Sequence, residues 1–204
     1  MATSGCLIAI EGIDGAGKGT QVDLLVEALR TQGHPVIATR EPTDGIHGQR
    51  IRAQSVAGKP LSPEEQLEAF MLDRAEHVRD LIQPGLEAGA VVVTDRYFLS
   101  TAAYQGAAGL DSREILERNT ALFPVPDLAV LIEISAVEAL RRVTARGEER
   151  NLSFEREDFL LRALSAYAAM SLPYLDRVSG ENDVASVHAE IMQRVGQALS
   201  RCGF

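Results

Sequence analysis

With 204 residues, 46 % of them hydrophobic and 24 % charged, the chain is long and apolar enough to bury a core without disulfide or metal support, which excludes a disordered tail, a collagen-like chain and a disulfide scaffold. Lys and Arg number 20 against 29 Asp and Glu, a net charge of −9 that repels a long polyanion, so no nucleic-acid polymer is expected as a partner. Met1 to Gly5 lacks the basic start of a signal peptide, and no apolar run approaches the ~20 residues of a membrane span, so a cytoplasmic protein is expected.

Along the chain, short apolar runs alternate with helical stripes. Leu7-Ile8-Ala9-Ile10 reads as a strand that breaks at Gly12, and Val22, Leu25, Val26 and Leu29 then recur at helical spacing over Gln21–Arg30. Pro35-Val36-Ile37-Ala38-Thr39 is the next strand, followed by a loop carrying Pro42, Gly45 and Gly48. A helical tract runs from Pro63, a favoured first-turn proline, toward Gln83, where Pro84 is expected to end or kink it. Ala90–Thr94 and Leu128–Ile134 read as strands, and helices are expected over 97–107, 111–122, 136–146, 155–172 and 183–201. Near-continuous apolar strands separated by helices predict an α/β fold, a parallel sheet covered on both faces, in one domain over 1–204. Cys6 and Cys202 sit at opposite ends of the chain, with no Cys-x-x-Cys pair and four scattered histidines, and read as reduced, structural thiols rather than zinc ligands.

Gly12-Ile13-Asp14-Gly15-Ala16-Gly17-Lys18 lies directly after the first strand and before the first helix. That is the setting of a phosphate-binding loop: glycines let successive N–H groups face one concavity, the helix N-terminus adds positive potential, and Lys18 reaches the β- and γ-phosphates. Without ligand, the Lys18 side chain is expected to be solvated. The next residue is Gly19, where the usual pattern carries a magnesium-ligating hydroxyl; Thr20, one place on, is positioned to bind a phosphate or reach the ion through water. Such a loop fits a kinase, a switch GTPase or a motor ATPase. The Asn-Lys-x-Asp stretch of a switch GTPase is absent from the sequence, and Gly-Lys-Gly-Thr is the variant typical of small nucleoside monophosphate kinases.

The run Asp95-Arg96-Tyr97-Phe98-Leu99-Ser100-Thr101-Ala102-Ala103-Tyr104-Gln105-Gly106 follows the third strand, at the carboxyl edge where open α/β sheets bind ligands. With Thr39-Arg40-Glu41-Pro42, Ile51-Arg52, Phe70-x-x-Asp73-Arg74-Ala75-x-His77-Val78, Pro126-Asp127 and Arg146-Gly147-Glu148, it makes the chain resemble the bacterial thymidylate kinases. The resemblance implies a P-loop three-layer fold with a five-stranded parallel sheet and a short lid over about 146–156. It implies phosphoryl transfer from ATP to dTMP with magnesium, and a homodimer paired through helices flanking the sheet. On the same likeness, residues Gly12 to Thr20 would hold the ATP phosphates. Arg96, Arg40 and Arg52 would hold the acceptor phosphate, with Glu41 and Gln105 in the same pocket. Phe70 would stack on thymine, Arg74 and Thr101 would bond its edge, and Tyr104 would fill the space of a 2′-hydroxyl. Asp14 would touch the sugar 3′-hydroxyl or the metal shell, and Asp95 would hold magnesium through water. His77 belongs to the helix motif and receives no role.

Catalysis would rest on Lys18, Arg96, Asp14 and a lid arginine. The segment from Arg146 to Phe159 mixes Arg146, Arg150 and Arg156 with five carboxylates. Because Asp14 is followed by Gly15, the loop offers Lys18 as its cation, and the resemblance points to the branch of the family that supplies an arginine from the lid. Arg150 is the first choice, Arg156 the second, and Arg146 would pack on adenine or a phosphate. A kinase for another acceptor, dUMP or AMP, and a regulator that binds nucleotide without turnover stay open at this point.

Overall fold

The computed structural model describes residues 5–54, 61–145 and 157–204. Five strands, β1 (Cys6–Glu11), β2 (Val36–Arg40), β3 (Val91–Asp95), β4 (Leu128–Glu133) and β5 (Leu175–Ser179), form one parallel sheet in the order β2-β3-β1-β4-β5. Every residue of β1 is buried, as a central strand with helices on both faces requires. The helices are α1 (Lys18–Thr31), α2 (Ile46–Gln54), α3 (Pro63–His77), α4 (Gln83–Glu87), α5 (Phe98–Ala107), α6 (Ser112–Leu122), α7 (Ala136–Ala145), α8 (Glu157–Ala169) and α9 (Val184–Cys202). Helices α1 and α9 pack on each other and on the strands, while α5 packs against α3, α6 and α8.

One expectation of local structure is corrected, and of the two outcomes open at Pro84 one is excluded. Gly48 lies inside α2 rather than in a loop; a Cβ there would meet the Thr43 carbonyl oxygen, so the helix packs closely on the chain before it. Pro84 does not end the helical tract. Five residues, Val78–Ile82, form a π-helical turn, and Pro84 falls in the first turn of α4, where its missing N–H is not required. At the other end, Ser62 caps α3 through the Glu65 N–H, and the Glu65 carboxylate returns to the Ser62 N–H.

Strand register places the carboxyl ends side by side. Ile10 pairs with Asp95, and Asp95 pairs with Arg40. The phosphate loop, Asp95-Arg96 and Arg40-Glu41, far apart in sequence, therefore leave the sheet at one edge.

Candidate active site

The loop between β1 and α1 is held against its neighbours by glycines. Gly12 has φ +143°, and a Cβ there would lie 2.7 Å from the Ile132 carbonyl oxygen of β4; Gly15, at φ +87°, would meet the Ala139 carbonyl oxygen of α7 at 2.6 Å. A side chain at either place would push the loop off the sheet edge. Lys18 is only 6 % exposed, so its expected solvation is corrected. Its Nζ donates to the Ile13 carbonyl at 3.0 Å, curling back over the loop. Burial, then the Arg96 guanidinium, pull its ammonium down to about 8.

Arg96 is the hub. Its backbone takes φ +69°, an uncommon conformation for a branched-chain or long residue that costs on the order of 1–3 kcal/mol and persists when the surroundings over-determine it. Here they do. Nη2 donates to Asp14 Oδ1 at 2.6 Å and Nη1 to the Gly12 carbonyl at 3.1 Å and Ser100 Oγ at 2.9 Å, while the guanidinium lies 5.0 Å from the Tyr104 ring centroid. The Tyr104 hydroxyl in turn accepts from the Asp14 N–H at 3.1 Å. Asp14 from the loop, Arg96 from the end of β3 and Tyr104 from α5 thus form one constellation.

Glu11 stands behind it, a residue to which the sequence reading gave no role. It is fully buried at the last position of β1, where it accepts from the Tyr97 N–H at 3.0 Å and from Ser100 Oγ at 2.5 Å, with the Tyr167 hydroxyl at 3.3 Å. A carboxylate directly after a run of four apolar strand residues was the available signal. Burial raises it from 4.5 to about 7. Between those values the folded state holds the proton and the unfolded state does not, so stability falls as pH rises through the window. Thermal melts from pH 5 to pH 8 should show wild type losing stability relative to Glu11→Gln; parallel curves would show that Glu11 ionises normally in the fold.

A second network lies deeper. Arg74, 0 % exposed, donates to Glu41 Oε2 through Nε and Nη2, to Asn119 Oδ1 at 2.6 Å and to Thr101 Oγ1 at 2.9 Å. His77 bridges Glu41 Oε1 and Thr39 Oγ1. Glu41 thus anchors Arg74 and His77, and Asn119 joins them; neither His77 nor Asn119 had been given a part. Phe70 is half-buried on α3. At the rim, Arg40 and Arg52 converge on the single carboxylate of Asp44, at 3.0 and 2.8 Å. Two guanidinium forks around one exposed carboxylate mark a place an anion can take.

Two buried groups at expected site positions lack hydrogen-bond partners among the described residues. Asp95 Oδ1 is one, and both polar atoms of Gln105, 1 % exposed, are the other. A Cβ on Gly19, in the first turn of α1, would lie 3.7 Å from Asp95 Oδ2, so the side-chain-free position faces that oxygen; Thr20, the next residue, is exposed. A carboxylate with one partnerless oxygen and a side-chain-free neighbour at the other has the chemistry of a ligand for a hard cation. Arg146, Arg150 and Arg156 lie outside the described residues.

A family model described as "Thymidylate kinase" matches residues 10–191. Among curated relatives, the thymidylate kinase of Desulfotalea psychrophila is 44 % identical, over 96 % of both chains. That of Xanthomonas euvesicatoria pv. vesicatoria is 44 % identical over 98 % of this chain and 89 % of its own, and that of Xanthomonas campestris pv. campestris 39 % over 98 % and 88 %. Phosphate loop, arginine hub and near full-length likeness agree, and the chain belongs to the thymidylate kinase family.

Proposed function

We propose a residue-level account of the reaction that this family membership entails, transfer of the terminal phosphoryl group of ATP to dTMP, giving ADP and dTDP. The observation that carries it is the meeting of the loop, with Lys18 and Asp14, and Arg96 at one sheet edge, beside the two arginines gathered on Asp44. The acceptor phosphate displaces the Asp44 carboxylate from Arg40 and Arg52 and reaches Arg96. Gly12 to Thr20 wrap the donor phosphates, and Lys18 leaves the Ile13 carbonyl for them. Phe70, Arg74, Thr101 and Gln105 line the thymine pocket. Four of the five N–H groups of Arg74 are already committed to protein acceptors, so it orders the pocket through Thr101 as much as it reads the base.

No side-chain base is needed, because the nucleophile is a phosphate oxygen whose group, with second pKa ~6, is mostly dianionic at neutral pH. The protein's task is to align two polyanions and offset the charge on the transferred group. Asp95, joined by Thr20 through water, would hold magnesium, which when bound adds positive charge against the donor phosphates. A cytoplasmic homodimer with a lid over about 146–156 belongs to the same reading, supported by the family likeness. Production of ADP that depends on dTMP is the test of the reaction.

Sugar selection gives a narrower check. Tyr104 keeps its ring over Arg96 and its hydroxyl on the loop. Tyr104→Phe should preserve the kcat/KM preference for deoxythymidine over ribothymidine monophosphate. Tyr104→Ala should narrow it about tenfold, the scale of an apolar contact worth one to three kcal/mol. An unchanged ratio in the alanine variant would place sugar selection elsewhere.

A further inference from the structure

At the edge of the sheet opposite the active site, the two cysteines come together. Cys6 opens β1 and is completely buried, and Cys202 is in the last turn of α9, partly exposed; both are free thiols, and their sulfurs are 2.7 Å apart. The approach is closed in by three further contacts. Asp127 holds the start of β1 by accepting from the Leu7 N–H at 2.8 Å, and its own N–H bonds the Leu7 carbonyl at 2.9 Å. Its carboxylate belongs with both sulfurs to one compact cluster. Beyond Cys202, the Phe204 ring packs edge-on to His34, which fixes the end of α9 over the chain that follows α1.

We propose that Cys6 and Cys202 are a reversible modification site, a dithiol that small-molecule disulfides such as oxidised glutathione convert to an intramolecular disulfide joining the two ends of the chain. The separation is within reach of a bond of about 2.05 Å by a small rotation of either side chain. Cys202, the accessible partner, reacts first: its sulfur, losing a proton, attacks one sulfur of the glutathione disulfide, and one glutathione leaves as a thiol with that proton. Cys6 sulfur then attacks the Cys202 sulfur and expels the second glutathione, which carries off the Cys6 proton. Two protein thiols are oxidised by two electrons and one glutathione disulfide is reduced to two thiols. Burial first, then the Cys202 thiol and after it the Asp127 carboxylate, push the Cys6 thiol well above its ordinary range, and burial raises Cys202 as well. Attack is therefore slow at neutral pH, which protects the dithiol from chance oxidation.

A bond from residue 6 to residue 202 closes a loop of nearly the whole chain, where cross-linking removes most freedom from the unfolded state. It lies at the amino end of β1, whereas the phosphate loop follows its carboxyl end, so the oxidised enzyme gains stability and keeps its turnover.

The full-length protein, incubated with oxidised glutathione and then denatured, should lose both titratable thiols without gaining glutathione mass. Digestion should yield the Cys6 and Cys202 peptides as one linked species, and Tm should rise by roughly 10 °C. Dithiothreitol should reverse all three changes, and Cys202→Ser should show none of them at unaltered kcat. A mixed disulfide that persists on Cys202, disulfide-linked dimers, two thiols that stay titratable or a Tm that does not move would each overturn the proposal. So would stoichiometric Zn²⁺ binding by the reduced protein that Asp127→Asn abolishes, since the cluster would then be a metal site.

Discussion

Replacing Lys18 with methionine is expected to lower kcat by roughly 10²–10³-fold or more, the cost of deleting one preorganised donor to developing charge, without lowering the stability of the fold. The two halves of this result have one cause. The Lys18 ammonium is buried, bonded to the Ile13 carbonyl at 3.0 Å and near Asp14 at 3.9 Å, in a place where burial and Arg96 pull it down to about 8 from 10.5. The free protein therefore holds a charge at some cost, and the donor phosphates repay it. Below about pH 8 the cost is present in full. Between about 8 and 10.5 the unfolded state binds the extra proton, so wild-type stability rises with pH through that window. Melts of wild type and Lys18→Met at pH 7 and at pH 9.5 should show the variant's advantage shrinking at the higher pH. A variant that melts well below wild type at pH 7 would mean that Lys18 holds the loop together rather than waiting for phosphate.

Arg150→Ala is expected to cut kcat by ~10³-fold or more, since an arginine acting on the transferred group is worth ~10³–10⁵ in related phosphoryl transfers, while dTMP affinity stays nearly intact. The reason is the absence of a second cation in the phosphate loop itself: Gly15 follows Asp14, and its φ of +87° and its contact with the Ala139 carbonyl leave no space for a side chain. Arg96 is committed to Asp14, the Gly12 carbonyl and Ser100 on the acceptor side. The family likeness points to the segment after Arg146 as the source of a cation for the transferred group, and we propose Arg150 for that part. A fall in kcat with unchanged dTMP binding is the pattern of an interaction made in the transition state. A loss confined to KM for ATP would make Arg150 a binding residue, and a large loss at Arg156 with none at Arg150 would move the role to Arg156.

What the sequence made legible is what depends on short spacing. The glycines and Lys18 of the phosphate loop, the Asp95-Arg96 pair at a strand end and the alternation of strands with helices are all local patterns, and the five-stranded parallel sheet bears out the alternation. What it hid depends on closure in three dimensions. The turn at Val78–Ile82 absorbs Pro84 because the helix shifts register before the proline, a choice no propensity encodes. Lys18 is buried because its side chain folds back onto the Ile13 carbonyl of the loop before it. Glu11, Ser100 and Tyr167 are separated by as many as 156 positions and meet only when β1, α5 and α8 pack. Glu41 had a place in the acceptor pocket by resemblance, but its grip on Arg74 and His77 needs β2 and α3 side by side. The thiols of Cys6 and Cys202, 196 residues apart, could not be paired from spacing at all.

The most direct measurement is ADP release by the purified protein with ATP and magnesium, across dTMP, dUMP, AMP and ribothymidine monophosphate. dTMP should give the highest kcat/KM, and omission of magnesium should abolish turnover. ADP formation stimulated by another monophosphate but not by dTMP, or nucleotide binding without any turnover, would contradict the site as built here from Lys18, Arg96 and their partners.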